Sequence, residues 1–385
     1  MKTADVVIAG AGIVGASIAW HFTKAGCRSV LLLEREASQG QGSTGKSMGG
    51  VRAQFATEPN IRMSLYSIPF YARFEEMTGS PAGYKPHGYL FVATAQKHLD
   101  DLRANRRLQN ALGLVNVEEW TREQIVARLP LLRADDILGG SYGPTDGFVD
   151  PWLAMEGFTS SALERGAELW RQAEITAIDR TAGRIALVRT TVGDVATRVL
   201  INATGASAAR VAELAGAALP VTPLRRMICP TEPFPGVPRD CPMVIDMSDG
   251  FHFRPEGRGL LMAWKDPAEK PTDQAMVDPH FVERILARAV ERVPAFLDLA
   301  VDPRKTWAGL YEMTPDHHCI LGPAPEVEGL YYANGFSGHG VMHAPSTGRI
   351  LADLVLTGFT TLVDASALSV RRFAEGRAIH ETAVL

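Results

Sequence analysis

The sequence has few cysteines and no cysteine or histidine cluster with the spacing of a metal site. Its 385 residues include four cysteines, none of them in a C-x-x-C pair: Cys27, Cys229, Cys241 and Cys319. Free thiols in a reducing compartment are therefore expected. The neighbouring His317 and His318 would point to opposite faces of a strand, and no third ligand stands at suitable spacing. No metal site is predicted.

The sequence also lacks a long hydrophobic run and an excess of positive charge. The formal net charge is −4, which argues against a nucleic-acid-binding surface. No uninterrupted apolar run is long enough to cross a bilayer, so no transmembrane segment is predicted. The apolar start of the chain is explained by a glycine motif rather than by a leader peptide. These features predict a cytoplasmic location.

The first 25 residues have the pattern of a strand, a glycine turn and a helix. Asp5–Ala9 is a short apolar run typical of a buried parallel strand. Gly10, Gly12 and Gly15 follow in G-x-G-x-x-G spacing. This spacing allows a tight turn, a close approach of the backbone to a pyrophosphate, and close packing of the next helix. The helix predicted at Val14–Ala25 would direct its free N–H groups and its positive dipole end toward that phosphate.

The second strand of this unit, predicted at Ser29–Leu33, ends directly before Glu34. Glu34 lies about 20 positions after the last glycine, where an acid can accept a hydrogen bond from a ribose hydroxyl. Because an acid here suits an unphosphorylated ribose, NADP is disfavoured, and FAD and NAD remain. The strands, glycines, helix and acid in register predict that the chain binds a dinucleotide.

Two further glycine-rich segments extend this pattern. Gln39–Phe55, with the sequence QGQGSTGKSMGGVRAQF, offers many backbone donors that could wrap a long cofactor. Near the other end, Leu330–Leu356 has the pattern of a strand, a turn with Gly335, Gly338 and Gly340, and an amphipathic helix. A helix N-terminus at that turn would stabilise negative charge, such as that on a reduced flavin ring.

Taken together, these motifs resemble those of the FAD-dependent D-amino-acid oxidase superfamily. Within it, the sequence is similar to the branch of the sarcosine oxidases, the glycine oxidases and the β subunits of sarcosine and proline dehydrogenases. The motifs that carry the resemblance run along nearly the whole chain: the N-terminal glycines with Glu34, STGKSMGG at 43–50, ATG at 203–205, WAGLYEMTPD at 307–316 and GFSGHG at 335–340.

The resemblance implies an α/β fold with two interleaved domains. One is a Rossmann-like FAD-binding domain of the glutathione-reductase type, and the other is an α+β substrate domain built on a mixed, largely antiparallel sheet. The FAD-binding domain is expected from residues 1–80, 145–215 and 325–385. The substrate-binding domain is expected from residues 81–144 and 216–324.

Strand patterns separated by turn residues support the second substrate segment. They are predicted at Pro223–Cys229, Met243–Asp246, Gly250–Arg254, Gly259–Trp264 and Thr306–Met313. A surface helix is predicted at Phe281–Val293 because its apolar residues are spaced for one face. In the FAD-binding segments, a strand is predicted at Arg171–Ile178, beside the adenine.

The motifs and the resemblance assign a set of residues to the FAD site. They are Gly10, Gly12, Ile13, Val14, Gly15, Glu34, Arg35, Gly42, Ser43, Thr44, Lys46, Ser47, Gly49, Gly50, Ile175, Ala203, Thr204, Gly205, Gly309, Gly335, Gly338, His339, Gly340, Val341 and Met342. Gly309 stands where the monomeric sarcosine oxidases have a cysteine bonded to FAD, so non-covalent FAD is expected. Met342 replaces a carboxylate-binding lysine of those enzymes, which weakens the case for sarcosine itself as the substrate.

Four residues are candidates for the chemistry, also by resemblance. Arg52 follows the glycine loop, and a guanidinium group can hold a substrate carboxylate in bidentate fashion. Tyr311 would orient the substrate, Lys265 would lie near flavin N5 and stabilise superoxide, and His343 would assist Arg52. Each has an ordinary alternative, such as a salt bridge for Arg52, core packing for Tyr311 and simple solvation for Lys265.

The resemblance implies an amine oxidoreductase that transfers hydride from substrate to flavin N5. Small amino acids with a secondary amine, either N-methyl or cyclic, are the first candidates, and glycine or primary D-amino acids are the second. A non-catalytic FAD-binding assembly or partner subunit is the alternative from another class. Oxygen and another electron acceptor both remain open, as do a homo-oligomer and a β subunit of a hetero-oligomer.

Overall fold

Two large sheets organise the chain in the computed structural model, which describes residues 1–383. The strands are Lys2–Thr3, Val6–Ala9, Val30–Leu33, Gly50–Val51, Tyr89–Ala93, Glu118–Trp120, Gly139–Gly143, Gly147–Phe148, Glu168–Trp170, Ile175–Thr181, Arg184–Thr190, Gly193–Ala196, Leu200–Asn202, Thr222–Pro230, Met243–Asp246, His252–Glu256, Gly259–Ala263, Trp307–Met313, Ile320–Pro323 and Leu330–Asn334. The α-helices are Ile13–Lys24, Glu58–Ala72, Phe74–Thr78, Gln96–Ala111, Arg122–Arg128, Pro151–Glu164, Ala208–Leu214, Phe281–Arg292, Gly340–Thr357 and Arg371–Ala374.

One sheet, which we call the parallel sheet, contains the N-terminal strands. Its order is Ile320–Pro323, Leu330–Asn334, Leu200–Asn202, Val6–Ala9, Val30–Leu33 and Glu168–Trp170. Neighbouring strands run parallel except for the first pair. Val6–Ala9 is buried along its whole length, and its alternate residues join two different core clusters. Both faces of this strand are therefore covered, which explains its continuous apolar sequence.

Two long helices pack against each other beside the parallel sheet. Ile13–Lys24 begins at the first glycine turn, and Gly340–Thr357 begins at the last one. The helices approach closely at Gly348, where a Cβ atom would lie 2.3 Å from Nδ1 of His21. Because Gly348 has no side chain, the two helices can pack this closely.

The carboxyl ends of three neighbouring parallel strands meet at one edge of the parallel sheet. In register, Ala9 pairs with Asn202, and Asn202 pairs with Tyr332. The chain turns that begin at Gly10, Ala203 and Gly335 consequently lie side by side, although they are far apart in sequence. In open α/β sheets, ligands bind at this carboxyl edge.

The other large sheet, which we call the antiparallel sheet, holds the strands predicted for the substrate domain. Its order is Trp307–Met313, Thr222–Pro230, Gly259–Ala263, His252–Glu256, Met243–Asp246, Tyr89–Ala93, Gly139–Gly143 and Glu118–Trp120. Within residues 1–383 its one parallel pairing joins Tyr89–Ala93 to Met243–Asp246. The predicted fold class, with a mixed and largely antiparallel second sheet, is confirmed.

The helix Phe281–Arg292 packs on the outer face of the antiparallel sheet. Its buried residues share a core cluster with Phe251 and Phe253. Because side chains alternate along a strand, His252 between them points the opposite way, toward the parallel sheet. The aromatic pair therefore belongs to the core and not to a binding surface.

Two sequence predictions differ from the structure. The strand expected at Arg171–Ile178 is split, because Gln172 takes a left-handed conformation with φ of 54° and starts a turn. Ile175–Thr181 then joins a separate four-stranded sheet. Ile320–Pro323 falls inside the predicted substrate segment 216–324 but pairs with the parallel sheet. The predicted end of that segment, at residue 324, therefore includes a strand of the other sheet. In residues 1–383 no helix is long and apolar enough to cross a membrane.

Candidate functional site

A long cavity of about 700 Å³ runs along the carboxyl edge of the parallel sheet and continues to the antiparallel sheet. The predicted cofactor residues that line it are Gly10, Gly12, Ile13, Val14, Glu34, Arg35, Gly42, Ser43, Thr44, Lys46, Ser47, Gly50, Ile175, Ala203, Thr204, Gly205, Gly309, Gly338, His339, Gly340, Val341 and Met342. The structure thus brings residues of all five sequence motifs onto one cavity wall.

The N-terminal glycine turn forms one end of this cavity. Gly10 has φ of +93°, and a Cβ atom there would lie 2.4 Å from the carbonyl oxygen of Ala203. Gly15 does not line the cavity, because it packs against the turn itself, and a Cβ atom there would collide with the carbonyl oxygen of Gly10. Gly15 therefore allows the helix to pack on the turn, and its expected contact with the cofactor is corrected to this packing role.

Glu34 lies on the wall of the cavity at the end of its strand. Its Oε1 accepts a hydrogen bond from the backbone N–H of Glu36, at 3.0 Å. Burial raises the pKa of Glu34, and the hydrogen bond to Glu36 partly opposes that rise. The carboxylate is half-buried and its second oxygen can accept a hydrogen bond from a ribose hydroxyl.

The glycine-rich loop after residue 39 is held against the strand Trp307–Met313. Ser43 Oγ donates to the carbonyl oxygen of Leu310 at 2.6 Å, and Trp307 Nε1 donates to that of Lys46 at 3.0 Å. A Cβ atom on Gly309 would lie 2.8 Å from Cβ of Lys46. A larger residue at Gly309 would push this loop away from the strand.

Two other predicted glycines serve packing and do not line the cavity. A Cβ atom on Gly49 would lie 2.1 Å from the carbonyl oxygen of Val149. A Cβ atom on Gly335 would lie 2.3 Å from Cγ2 of Thr314. Both glycines shape the loops that carry the cavity residues, so their expected contact with the cofactor is also corrected.

Arg52 lines the cavity but is almost fully buried, with 1% of its surface exposed. Its Nη1 donates to the carbonyl oxygen of Gln54 and its Nη2 to that of Ala383. Its guanidinium carbon lies 3.9 Å from the centre of the Phe55 ring. A guanidinium group has five N–H donors, so donors remain for a ligand. In residues 1–383, Arg52 forms no salt bridge.

Tyr311 lines the same cavity, as predicted for a substrate-orienting residue. Burial raises the pKa of Tyr311, while the guanidinium groups of Arg226 and Arg52 favour its ionised form. The guanidinium carbon of Arg226 lies 5.4 Å from the centre of the Tyr311 ring. Tyr311 therefore stands between two arginines and keeps its hydroxyl proton at neutral pH.

His343 and Lys265 lie elsewhere than the sequence predicted. His343 is 1% exposed, contacts Ser64 Oγ through Nε2 at 3.0 Å, and does not line the cavity. Burial lowers the pKa of His343 to about 3, so it carries no positive charge to assist Arg52. His343 lies in the first turn of its helix, and its side chain faces the helix Glu58–Ala72. Lys265 lines a second cavity. Its strand ends at Ala263, so the alternation of side chains along the strand does not predict where Lys265 points.

Among the cavity residues that were not predicted from the sequence, an arginine, a histidine and a glutamate lie on the antiparallel sheet. Arg226 lines the cavity and its neighbour Arg225 does not. Because side chains alternate along a strand, the sequence could have predicted that one of these two arginines faces the cavity. His252 lines the cavity with Nδ1 2.9 Å from the carbonyl oxygen of Gly250, and burial lowers its pKa to about 4. Burial raises the pKa of Glu312 to about 7. Burial of the last two depends on distant segments, so no local signal marks them.

The geometry of this cavity fits a flavin dinucleotide. At one end, a turn in which Gly10 and Gly12 have no Cβ atom and a helix N-terminus can accept a pyrophosphate, and Glu34 can accept a hydrogen bond from a ribose hydroxyl. At the other end, the N-terminus of Gly340–Thr357 faces the space in front of Tyr311. Fold and site together define a flavin-dependent oxidoreductase.

Comparison with known proteins agrees with this class. The family model described as FAD dependent oxidoreductase (DAO) matches residues 5–354, and the chain belongs to this family. FAD is therefore its cofactor. The chain is 33% identical to the FAD-dependent oxidoreductase domain-containing protein 1 of Xenopus laevis, over 97% of this chain and 83% of that protein. It is 30% identical to the mitochondrial dimethylglycine dehydrogenase of Mus musculus, over 92% of this chain but only 42% of that enzyme.

Solved structures show the same fold over nearly the whole chain. The L-proline dehydrogenase of P. horikoshii superposes with a TM-score of 0.91 at 30% identity, over 97% of this chain and 99% of that one. The glycine oxidase of Geobacillus kaustophilus superposes with a TM-score of 0.85 at 27% identity, over 97% and 99% of the two chains. Both similarities include the two sheets that form the cavity.

Proposed function

We propose that this chain oxidises the C–N bond of a small amino acid, preferentially one with a secondary amine, to an imine. When bound, FAD supplies the hydride-accepting chemistry, and the protein supplies binding and orientation. The relative named for sarcosine and the neighbour named for proline support a secondary amine, and the relative named for dimethylglycine supports an N-methylated amine more generally. Glycine oxidase, also among the neighbours, keeps a primary amine as the second candidate.

The observation that carries this proposal is the position of Arg52 on the cavity wall next to Tyr311. Arg52 is buried, has no carboxylate partner in residues 1–383, and keeps N–H donors after its bonds to two carbonyl groups. The nearby charges of Glu381 and Asp146 favour the charged form of Arg52, but neither carboxylate forms a salt bridge with it within residues 1–383. A buried cation without a directly bonded anion is costly. A substrate carboxylate would neutralise it through charge-assisted hydrogen bonds. The same contact would fix the orientation of the adjacent Cα–H bond.

The charges of the cavity also favour the reactive form of the amine. Only an amine with a free lone pair can release hydride from the neighbouring carbon, so the ammonium form must lose its proton. Arg52 and Arg226 both flank Tyr311, and positive charge nearby lowers the pKa of an ammonium group. Burial lowers the pKa of His339 well below its usual range, with Arg52 as a further cause. His252 and His339 therefore stay neutral, and each can accept a hydrogen bond through an unprotonated ring nitrogen.

The closed packing around the cavity supports precise positioning. Gly338 lies against the ring of Tyr311, and the loop at Lys46 is bonded to the strand that carries Tyr311. Such contacts can hold a reacting C–H bond about 3–3.5 Å from its acceptor. Because Gly309 offers no side chain for a covalent link, we propose that FAD is bound non-covalently.

Anaerobic reduction of the purified protein tests the proposed function. The flavin absorption is followed during titration with sarcosine, other N-methyl amino acids, L- and D-proline, glycine and D-alanine. Bleaching by a secondary amine at least tenfold more efficiently than by glycine supports the proposal. Bleaching by none of them, while dithionite reduces the flavin, would overturn it and favour a non-catalytic FAD protein. Admission of air then separates an oxidase, which recovers promptly and forms peroxide, from a dehydrogenase.

Location and assembly stay predictions. A cytoplasmic location is the expectation from the sequence, whereas the similar dimethylglycine and sarcosine dehydrogenases of mammals are named as mitochondrial. The choice between a homo-oligomer and a hetero-oligomer subunit also stays open to size measurement of the purified protein.

A further inference from the structure

A second cavity of about 810 Å³ lies beside the first, on the antiparallel sheet. Arg226 and Trp264 line both cavities, so these two residues form the boundary between them. On the same side, the carbonyl oxygen of Ala383 accepts the hydrogen bond from Arg52, and Ala383 lines the second cavity. The second cavity therefore lies next to the space in front of Tyr311, on the other side of Arg226 and Trp264.

The acidic residues that line the second cavity are each paired with a basic residue. The pairs are Asp101 with Lys97, Asp246 with Arg292, Asp249 with Arg288, Asp266 with Arg284, and Glu269 with Arg225. Each of these carboxylates therefore has a cation close to it. Three of the arginines also contact a second carboxylate that does not line the cavity.

Two cations of the second cavity have no acidic partner in the part of the chain that the structure describes. They are Arg226 and Lys265, and neither forms a salt bridge within residues 1–383. The Nε atom of Arg226 is buried without a hydrogen-bond partner among these residues. Burial lowers the pKa of Lys265, and the positive charge of Arg226 lowers it further.

Trp264 adds a third donor at the same place. Its side chain is 7% exposed, it lines both cavities, and its Nε1 is buried with no partner among the described residues. A buried N–H group without a partner is destabilising, so an acceptor that reaches it is favoured. Within residues 1–383, Arg226 and Lys265 have no acidic partner and the indole N–H of Trp264 has no acceptor, and all three residues line the second cavity. Together they can bind an anion there.

We propose that the substrate is an amino dicarboxylate, whose second carboxylate binds Arg226, Lys265 and Trp264 while its α-carboxylate binds Arg52. This inference rests on the proposed function, because Arg52 and Tyr311 set the position of the oxidised C–N bond. The second carboxylate sits on the side chain or on the nitrogen substituent and extends from the first cavity into the second. Charge-assisted hydrogen bonds to this group select it against a neutral analogue.

Calorimetric titration of the FAD-loaded protein tests the anion site without any turnover. The probes are glutarate and its monoamide, 5-amino-5-oxopentanoate, which have the same shape but differ by one negative charge. We expect glutarate to bind at least tenfold more tightly than the monoamide. In Lys265→Met and in Arg226→Gln this ratio falls to below threefold, whereas in Lys270→Met, a control at an exposed lysine that lines neither cavity, it is unchanged.

Anaerobic flavin reduction then connects the site to the substrate. N-methylglutamate should reduce the flavin with at least 30-fold higher efficiency than N-methylglutamine, and Lys265→Met should remove most of this preference. Equal binding of glutarate and its monoamide to the wild-type protein would overturn the inference, even if sarcosine reduces the flavin. Conversely, charge-dependent binding that depends on Lys265, without reduction by any amine, would support the anion site and reject the proposed function.

Discussion

Gly338 lies directly against the aromatic ring of Tyr311. Gly338 has φ of +95°, and a Cβ atom there would lie 2.5 Å from Cε2 of the ring. The turn before the helix Gly340–Thr357 and the strand Trp307–Met313 therefore touch at the cofactor cavity with no room for a methyl group. This contact positions Tyr311 relative to the N-terminus of the helix.

Gly338→Ala should displace Tyr311 and weaken FAD binding. The added methyl group meets the ring, and overpacking of this kind costs about 1–3 kcal/mol in addition to the strained backbone. The bound FAD per protein and the thermal unfolding temperature measure the effect. Gly376→Ala is the control, because Gly376 also has positive φ (65°) but nothing within 4 Å of its Cβ position. Equal effects of the two changes would show that the contact with Tyr311 is unimportant.

Arg52→Lys should lower kcat/KM for the amino acid substrate by about 100-fold while FAD stays bound. Lysine keeps the charge but lacks the planar fork that can bind the carbonyl groups of Gln54 and Ala383 together with a carboxylate. Stopped-flow flavin reduction gives the rate, and the flavin spectrum reports cofactor content. Arg258→Lys, at an exposed site outside both cavities, is the matched control. Unchanged kinetics would remove Arg52 from the substrate site.

Glu34→Gln should weaken FAD binding by about tenfold, because an amide is a weaker acceptor for a ribose hydroxyl than a carboxylate. The dissociation constant is measured by titrating FAD into the stripped protein and following flavin fluorescence. Glu76→Gln, on an exposed helix position, controls for the loss of one negative charge. An unchanged dissociation constant would argue against a ribose contact at Glu34.

Arg372→Met should destabilise the fold by about 3–5 kcal/mol, since it leaves the buried carboxylate of Asp316 without its partner. Both side chains are 1% exposed, and they form two hydrogen bonds of 2.7 and 2.9 Å. The free energy of unfolding in urea measures the loss. The double change Arg372→Met with Asp316→Leu should recover part of it, because no unpaired charge is then buried. A loss below about 1 kcal/mol for the single change would contradict this account.

The pH dependence of stability should change in His343→Gln. Burial lowers the pKa of His343 to about 3, below its value in the unfolded chain. The unfolded chain therefore binds a proton first, and this histidine's contribution to stability is present above pH 6.5 and lost as pH falls toward 3. The difference in unfolding free energy between wild type and His343→Gln should shift by about 1.4 kcal/mol per pH unit below pH 6. Parallel profiles would show that His343 titrates normally.

Local sequence patterns were sufficient to predict the cofactor half of the site. Gly10, Gly12 and Glu34 are separated by a strand and a helix of standard length, so their spacing alone predicts that they meet one ligand. The same patterns could not separate Gly12, which lines the cavity, from Gly15, which only packs against a carbonyl oxygen. A glycine that contacts a ligand and a glycine that only allows close packing both lack a side chain, so the spacing of glycines in the sequence does not distinguish them.

What the sequence by itself determined is the order of strands, glycine turns and helices, since hydrophobic periodicity and glycine conformation act over a few residues. Only the tertiary structure decided which side chains face the reaction space. His343 contacts a neighbouring helix, and Lys265, which follows the end of its strand, lines the second cavity. Glu269 pairs with Arg225 rather than with Arg226. These outcomes depend on partners tens to hundreds of residues away, and burial and charge pairing between such partners are set only when the sheets come together.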